Sequence, residues 1–261
     1  MPQLSQTKAG QGPLIVLSTA RSGTTALTQS LMAAYGGFPY VEASVFPLLA
    51  RILETERQYF EDLGEAYSTH TRHLISRFPR EPFQEALKSF FFDFYREEFP
   101  DGFWIDKTAT SEMIRAAPWI ASLFPEARFI SLQRSGIDVL CSRKHKFPES
   151  SFEEGCLEWR DAVEALLAVK VELNGRYIEI EQQEMLCHPG PLSVRLGGFL
   201  GLSEKQQKEL RRIWKNTRPE QRTPRKKILP VKLRDAGWTS EEEQVFVSLC
   251  GDAMASCGYA M

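Results

Sequence analysis

The sequence has little of what marks several common classes of protein. It contains five cysteines, an odd number without the spacing of a disulfide framework or a metal site, and only 4 histidines. No apolar run approaches the ~20 residues that a transmembrane helix needs. Lys and Arg total 32 against 34 Asp and Glu, so the chain has no general excess of positive charge for nucleic acid. These features predict a soluble cytoplasmic protein with reduced thiols and no nucleic-acid partner.

The composition is that of a globular protein. Of 261 residues, 43% are hydrophobic and 25% are charged, which argues against disorder, collagen and a coiled coil. This length fits one α/β domain. Residues 1–12 are polar and lack the apolar segment of a signal peptide, so we expect a flexible N-terminus followed by a domain over 13–261.

Short apolar runs, typical of strands buried on both faces, alternate with helical patterns along the chain. The runs lie at Pro13–Ser18 and Ala127–Leu132, and two further short strands are predicted at Phe103–Ile105 and Arg176–Ile180. This alternation predicts an α/β fold, in which a central parallel sheet is flanked by helices. Residues 44–99 interrupt the alternation and are predicted to form a mostly helical insertion.

Two segments have an unusual composition. Phe90–Tyr95 is aromatic almost all round, which predicts a buried helix and, as the less favoured alternative, part of an acceptor pocket. Residues 205–234 hold 12 Lys and Arg against two Glu, so they form either a solvated face or a lid over an anionic ligand. The candidate cations of such a lid are Arg218, Arg222, Arg225, Lys226 and Lys227.

The most distinctive local pattern is a phosphate-binding loop between the first strand and the first helix. Gly23 lets the backbone approach a ligand closely, and the helix that follows offers unpaired N–H groups and a positive dipole end. Arg21 adds a planar cation, while Ser22, Thr24 and Thr25 add hydroxyl groups. The loop is not a Walker A motif, because GxxxxGK[ST] is absent. The alternative interpretation is an ordinary turn with a Ser or Thr cap.

A second polar turn follows the strand at 127–132. Arg134 lies at the carboxyl end of that strand, where ligands bind in open α/β sheets. Ser142 and Lys146 follow on one face of the next helix, so the three side chains could hold a second phosphate. The alternative is a helix cap with solvated cations.

Taken together, the two turns resemble those of the sulfotransferases that use 3′-phosphoadenosine 5′-phosphosulfate (PAPS). The resemblance implies that Arg21–Thr25 grip the 5′-phosphosulfate of this co-substrate in a P-loop-like cradle, while Arg134 and Ser142 grip its 3′-phosphate. Arg21 stands where the cytosolic phenol and steroid enzymes have Lys, so the loop is most similar to the tyrosylprotein and bacterial branches.

Other positions agree with these branches. Glu42 lies where tyrosylprotein sulfotransferases carry a catalytic glutamate, which implies that it is the general base. Lys107, within Trp104–Thr108, is similar to a bacterial motif and would neutralise charge on the sulfuryl group together with Arg21. The resemblance also implies that Lys146 binds the 3′-phosphate and that Lys227 or Lys232 makes a further contact with the nucleotide.

The sequence also allows other roles for the candidate catalytic residues. Glu42 could be a solvated carboxylate at a helix start. Lys107 could lie on the surface, and His145 could replace Glu42 as the base.

The function implied is transfer of the sulfuryl group from PAPS to a hydroxyl group, or less readily to an amine, without a metal ion. Adenosine 3′,5′-bisphosphate (PAP) is the product, and a small molecule or peptide is the acceptor. One alternative is a P-loop-like kinase or nucleotide phosphotransferase, in which Asp106 would hold Mg²⁺. Another is a relative that binds nucleotide without catalysis. The sequence leaves the acceptor and the oligomeric state open.

Overall fold

The structure is a computed structural model, and it describes residues 12–36, 40–67, 69, 72, 80–173, 175–216 and 231–261. A parallel sheet of five strands lies at its centre, in the order β2-β3-β1-β4-β5. The strands are β1 Leu14–Ser18, β2 Tyr40–Val41, β3 Ile105–Asp106, β4 Arg128–Gln133 and β5 Tyr177–Glu181. The predicted α/β fold with a central parallel sheet is therefore confirmed.

Helices follow the strands and cover both faces of the sheet. They are α1 Thr24–Tyr35, α2 Val45–Ala66, α3 Arg80–Glu98, α4 Ser111–Leu123, α5 Gly136–Lys146, α6 Phe152–Val169, α7 Gln182–Cys187, α8 Pro189–Leu200, α9 Glu204–Asn216 and α10 Ser240–Ser256. A 3-10 turn, Leu233–Asp235, precedes α10. The start of α10 is fixed by a capping box, in which the hydroxyl of Thr239 accepts the backbone N–H of Glu242.

The hydrophobic core has one part on each face of the sheet. On one face, Leu27 of α1 and Leu196 of α8 pack with Leu132 of β4. On the other, Phe129 of β4 packs with Leu166 of α6 and with residues of α2, α3 and α4. Burial on both faces explains why β1 is a continuous apolar run and why β4 is largely apolar over Phe129–Leu132.

The insertion contains the long helices α2 and α3 within its described residues, as expected for a mostly helical segment. The prediction that Phe90–Tyr95 is buried all round is wrong. Only Phe91 and Tyr95 face the core, whereas Phe90, Phe92 and Phe94 are exposed. The reason is that α3 has the core on one side only, where Tyr95 stacks on Phe46 of α2 with ring centroids 4.5 Å apart.

Three features singled out in the sequence are the cysteines, the length of the apolar runs and the cations of a lid. All five cysteines are free thiols, of which Cys156 and Cys250 are buried. Within the described residues, no helix is long and apolar enough to cross a membrane. The cations proposed for a lid, Lys227 among them, lie outside the described residues.

Candidate active site

The candidate residues follow strands of one parallel sheet. The carboxyl ends of parallel strands meet at a single edge, so the loops that leave them are neighbours. From β2 through β3 and β1 to β4, these loops carry Glu42, Lys107, Arg21 and Arg134 in that spatial order. Neighbouring strands are about 5 Å apart, so the four loops span about 15 Å. This is the scale of one extended nucleotide-sized ligand.

The connections that leave β1 and β4 diverge. The helix after β1, α1, packs on one face of the sheet through Leu27, whereas α6, which follows β4 and α5, packs on the other face through Leu166. Adjacent strands with helices on opposite faces open a crevice between their loops, which is where open α/β sheets bind ligands. The two turns singled out in the sequence border this crevice.

The first turn has a backbone that shapes it as a cradle. Arg21 is in the left-handed region with φ 67°, which is uncommon for a residue other than glycine, and Gly23 has φ 92°. A Cβ on Gly23 would lie 3.0 Å from Cγ of Gln182, so any other residue would have to displace that side chain and also adopt the left-handed backbone. Gly23 at the start of α1 makes no side-chain cap, so the first N–H groups of that helix can bind an anion.

The second turn is bonded directly to the first. The guanidinium Nε of Arg21 donates to Oγ of Ser142 on α5 at 3.2 Å. The guanidinium of Arg134 in turn donates to the backbone carbonyl of Arg21 at 2.8 Å. The structure therefore brings Arg21, Arg134 and Ser142 together, although more than 100 residues separate the first from the other two.

Trp159 of α6 packs against the second turn. Its indole Nε1 donates to the backbone carbonyl of Arg134 at 3.3 Å. The ring also packs against Gly136, where a Cβ would lie 3.0 Å from its atoms. A cleft opens beside both turns, and its lining includes Thr19, Ser22, Arg134 and Trp159.

The hydroxyl groups of the first turn have different environments. Ser22 is buried, and its Oγ lies 2.6 Å from Oγ1 of Thr19, which ties the turn together. Thr24 is buried at the first position of α1, and Thr25 beside it is exposed. The side chain of Thr25 is therefore the more accessible of the two to a ligand.

Glu42 and Lys107 form an ion pair, in which the Nζ of Lys107 donates to Oε1 of Glu42. The Lys107 side chain is only 8% exposed, so the alternative that it lies on the surface is wrong. The Glu42 side chain is 59% exposed. One carboxylate thus reaches solvent while its cationic partner stays inside the protein.

The remaining candidates lie at the end of α5. Lys146 is the last residue of that helix and is exposed, one turn beyond Ser142. His145 is exposed beside it, in the loop system of β4, whereas Glu42 and Lys107 follow β2 and β3.

Asp106 is a buried carboxyl group immediately before Lys107. It is 0% exposed, and its Oδ1 accepts a hydrogen bond from Oγ1 of Thr108 at 2.9 Å. Burial raises the pKa of Asp106 to about 6, although hydrogen bonds from Thr108 and the Ala43 backbone oppose the rise. The folded chain therefore holds a proton on this group up to a higher pH than the unfolded chain does.

This shift predicts a pH dependence of stability that Asp106→Asn removes. With a folded pKa of about 6 and an unfolded value of 3.8, the stability that Asp106 contributes is present below pH 4 and lost as the pH rises through 6. The loss is about 3 kcal/mol. The measurement is the free energy of unfolding with urea at both pH 4 and pH 7. From the lower to the higher pH, the value for Asp106→Asn should rise by about this amount relative to the wild type. A difference that stays constant between the two pH values would contradict the shift.

Four residues of this region are absent from the sequence-based predictions or have another role there. Asp106 and Thr108 flank Lys107, and their acidic and hydroxyl character next to a predicted catalytic cation was the available signal. Trp159 lies 25 residues after Arg134, and Gln182 packs against Gly23 from α7. No local pattern in the sequence marks the last two contacts, because both depend on tertiary packing.

Both turns lie in the part of the chain that matches a known protein family. The model of a family described as the sulfotransferase family matches residues 13–206, which include both turns and the Glu42–Lys107 pair. The chain belongs to the sulfotransferase family. A search of curated proteins gives no significant match.

Solved structures show the same fold for this sulfotransferase at low sequence identity. The sulfotransferase domain of the Synechococcus PCC 7002 olefin synthase is 16% identical with a TM-score of 0.58, over 99% of this chain and 98% of that domain. The sulfotransferase STF9 from Mycobacterium avium is 16% identical with a TM-score of 0.52, over 97% of this chain and 79% of its own. A sulfotransferase domain from the curacin biosynthetic pathway is 14% identical with a TM-score of 0.52, over 96% and 99%.

Proposed function

We propose that this sulfotransferase takes PAPS as its donor and transfers the sulfuryl group to a hydroxyl group of a small-molecule or peptide acceptor. The observation that carries the proposal is the pair of hydrogen bonds between the two turns, Arg21 to Ser142 and Arg134 to Arg21. A site for a simple nucleotide needs one anion cradle. Two cationic turns bonded to each other fit a donor that carries anionic groups at both its 5′ and 3′ positions.

Each turn then has a distinct part in holding the donor. The N–H groups at the start of α1, with Thr24 and Thr25, bind the 5′-phosphate. The guanidinium of Arg134, the hydroxyl of Ser142 and the ammonium of Lys146 bind the 3′-phosphate. Lys227 is proposed to add a further contact to the nucleotide.

Glu42 and Lys107 serve the chemical step. Glu42 takes the proton of the acceptor hydroxyl, whose oxygen forms a bond to sulfur as the bond from sulfur to the 5′-phosphate oxygen breaks. Lys107 and Arg21 stabilise the negative charge that develops on the sulfuryl oxygens and on the leaving oxygen. Their cations are fixed beforehand, Lys107 by burial and Arg21 by its bond to Ser142. The exposure of Glu42 leaves its carboxylate within reach of an acceptor.

The melting temperature of the protein with different nucleotides tests the donor. At 100 times its dissociation constant, a ligand stabilises a protein by about 2.7 kcal/mol, which raises the melting temperature of a chain of this size by about 5–10 °C. We expect PAP to give a shift of this size, and 5′-AMP at the same concentration a much smaller one, because AMP has no 3′-phosphate.

A matched variant and a competing nucleotide make the result specific. Ser142→Ala should reduce the shift given by PAP far more than the shift given by AMP, which falls slightly because Arg21 loses its hydrogen bond to Ser142. A larger shift with ATP and Mg²⁺ than with PAP would point instead to a phosphotransferase. Binding of PAP without transfer of labelled sulfate from PAPS to any acceptor of a hydroxyl panel would identify a relative that binds nucleotide without catalysis.

A further inference from the structure

The segment that carries Glu42 has a strained backbone. Glu42, Ala43 and Ser44 join β2 to α2, and Ser44 has φ 52°, in the left-handed region. A residue other than glycine keeps such a conformation only where the surroundings hold it. The contacts that hold Ser44 therefore also determine where the backbone of Glu42 lies.

The hydroxyl of Thr108 provides this contact. It accepts the backbone N–H of Ser44 at 3.2 Å and donates its own proton to Oδ1 of Asp106 at 2.9 Å. Thr108 is 5% exposed and Asp106 is 0% exposed, so the bond between these two side chains is shielded from water. The bond to Asp106 orients the hydroxyl, which leaves a lone pair of its oxygen for the N–H of Ser44.

Asp106 in turn has a fixed place in the sheet. It is the last residue of β3 and lies opposite Ile15 of β1 and Val41 of β2 in the register. A carboxyl group between two strands is a rigid support, unlike a side chain on a surface loop. The chain of bonds therefore runs from the sheet through Asp106 and Thr108 to Ser44.

The hydrogen bonds from Asp106 through Thr108 to Ser44 connect the same two segments as the ion pair, but at a separate point. Lys107 lies between Asp106 and Thr108 in sequence, and Glu42 lies two residues before Ser44. The segments 42–44 and 106–108 are thus held by the ion pair at one end and by the Thr108 hydroxyl at the other. An ion pair with an exposed partner holds geometry weakly by itself.

We propose that Asp106 and Thr108 are positioning residues, which hold the carboxylate of Glu42 in its place opposite Lys107 for the reaction. The inference rests on the proposed function of Glu42 as the base. Neither residue touches the reacting atoms in this account, because both are buried behind the segment that they hold. Their effect is on the rate of the chemical step and not on the binding of the donor.

Hydrogen exchange tests the positioning without using activity. Thr108→Val removes the hydroxyl at nearly constant shape, and Thr108→Ser keeps it. In the full-length protein, mass spectrometry should find the backbone amides of residues 42–46 exchanging at least tenfold faster in Thr108→Val, and within twofold of the wild type in Thr108→Ser. Ser193→Ala is the matched control, since it removes a buried hydroxyl bonded to a backbone carbonyl elsewhere.

Kinetics with PAPS and a hydroxyl acceptor measure the consequence. Thr108→Val should lower kcat by about 10- to 100-fold while the KM for PAPS stays within threefold, and Thr108→Ser should restore kcat. If Thr108→Val does not fold, Thr108→Ala takes its place in both measurements. Unchanged exchange in the variant without the hydroxyl overturns the proposal. Faster exchange in a protein whose wild type releases no PAP from PAPS leaves the positioning intact and refutes the proposed function alone.

Discussion

Replacing Glu42 with glutamine is expected to lower kcat for sulfuryl transfer by about 10²- to 10⁴-fold, the range that a positioned general base contributes. Glutamine has nearly the same shape and can still accept a hydrogen bond from Lys107, so the loop should stay in place. Its amide cannot take the proton of the acceptor hydroxyl. The measurement is the rate of sulfate transfer from labelled PAPS at saturating donor, together with the dissociation constant of PAP, which should stay within threefold.

The control for this variant is a carboxylate in a similar setting away from the site. Glu164 on α6 is 61% exposed in its side chain and pairs with Arg160, and Glu42 is 59% exposed and pairs with Lys107. Glu164→Gln should leave kcat within twofold of the wild type. Full turnover by Glu42→Gln would remove the assignment of Glu42 as the base.

Arg134→Ala should weaken the binding of PAP by about 100-fold, which corresponds to about 2.7 kcal/mol. The variant loses a cation that the account places on the 3′-phosphate. It also loses the bond to the carbonyl of Arg21, so a smaller effect on 5′-AMP, about threefold, is expected as the first turn loosens. Titration calorimetry with PAP and AMP separates the two effects. The KM for the acceptor should change far less than the affinity for PAP.

Arg176→Ala is the matched control for this measurement. Arg176 also donates from its guanidinium to a backbone carbonyl, that of Ala121, at 2.8 Å. However, it precedes β5 and so lies at the amino ends of the strands, whereas Arg134 lies at their carboxyl ends. Its loss should affect stability and not the affinity for PAP. Equal weakening of PAP and AMP in Arg134→Ala would show that the arginine shapes the loop without contacting a 3′-phosphate.

The central strands β1 and β4 could be predicted from the sequence because they are apolar runs. Leu14–Leu17 of β1 is buried on both faces, as in a parallel sheet covered by helices. The strand β2 was not predicted, since a strand of two residues leaves no pattern. Likewise α7 and α8 over 182–200 were not predicted, because α7 has only six residues and α8 begins with Pro189-Gly190-Pro191, which resembles a loop.

The candidate site divides in a similar way. The first turn could be predicted because its chemistry is local: a strand, a glycine with a positive φ and a helix start follow one another within a few residues. Arg134 and Ser142 were predicted as a second anion site, but their bonds to Arg21 depend on the order of strands in the sheet. The supporting contacts of Trp159 and Thr108 come from packing, which no spacing in the sequence encodes.

The exposed phenylalanines of α3 show the limit of reasoning from composition. A helix with five aromatic residues in six positions is expected to be buried on all sides. In the fold, α3 lies at the outside of the insertion. It therefore has more aromatic side chains than its buried side can hold, and the others are exposed. The period of the pattern identifies the buried side correctly, since Phe91 and Tyr95 are one turn apart.

The most direct test is a crystal structure of the protein in complex with PAP. The account predicts one PAP molecule across the crevice between β1 and β4, with its 5′-phosphate on the first turn of α1 and its 3′-phosphate within hydrogen-bonding distance of Arg134 and Ser142. A molecule that places both phosphates away from the Arg21–Ser142 link, or only one of them in the crevice, would contradict the account.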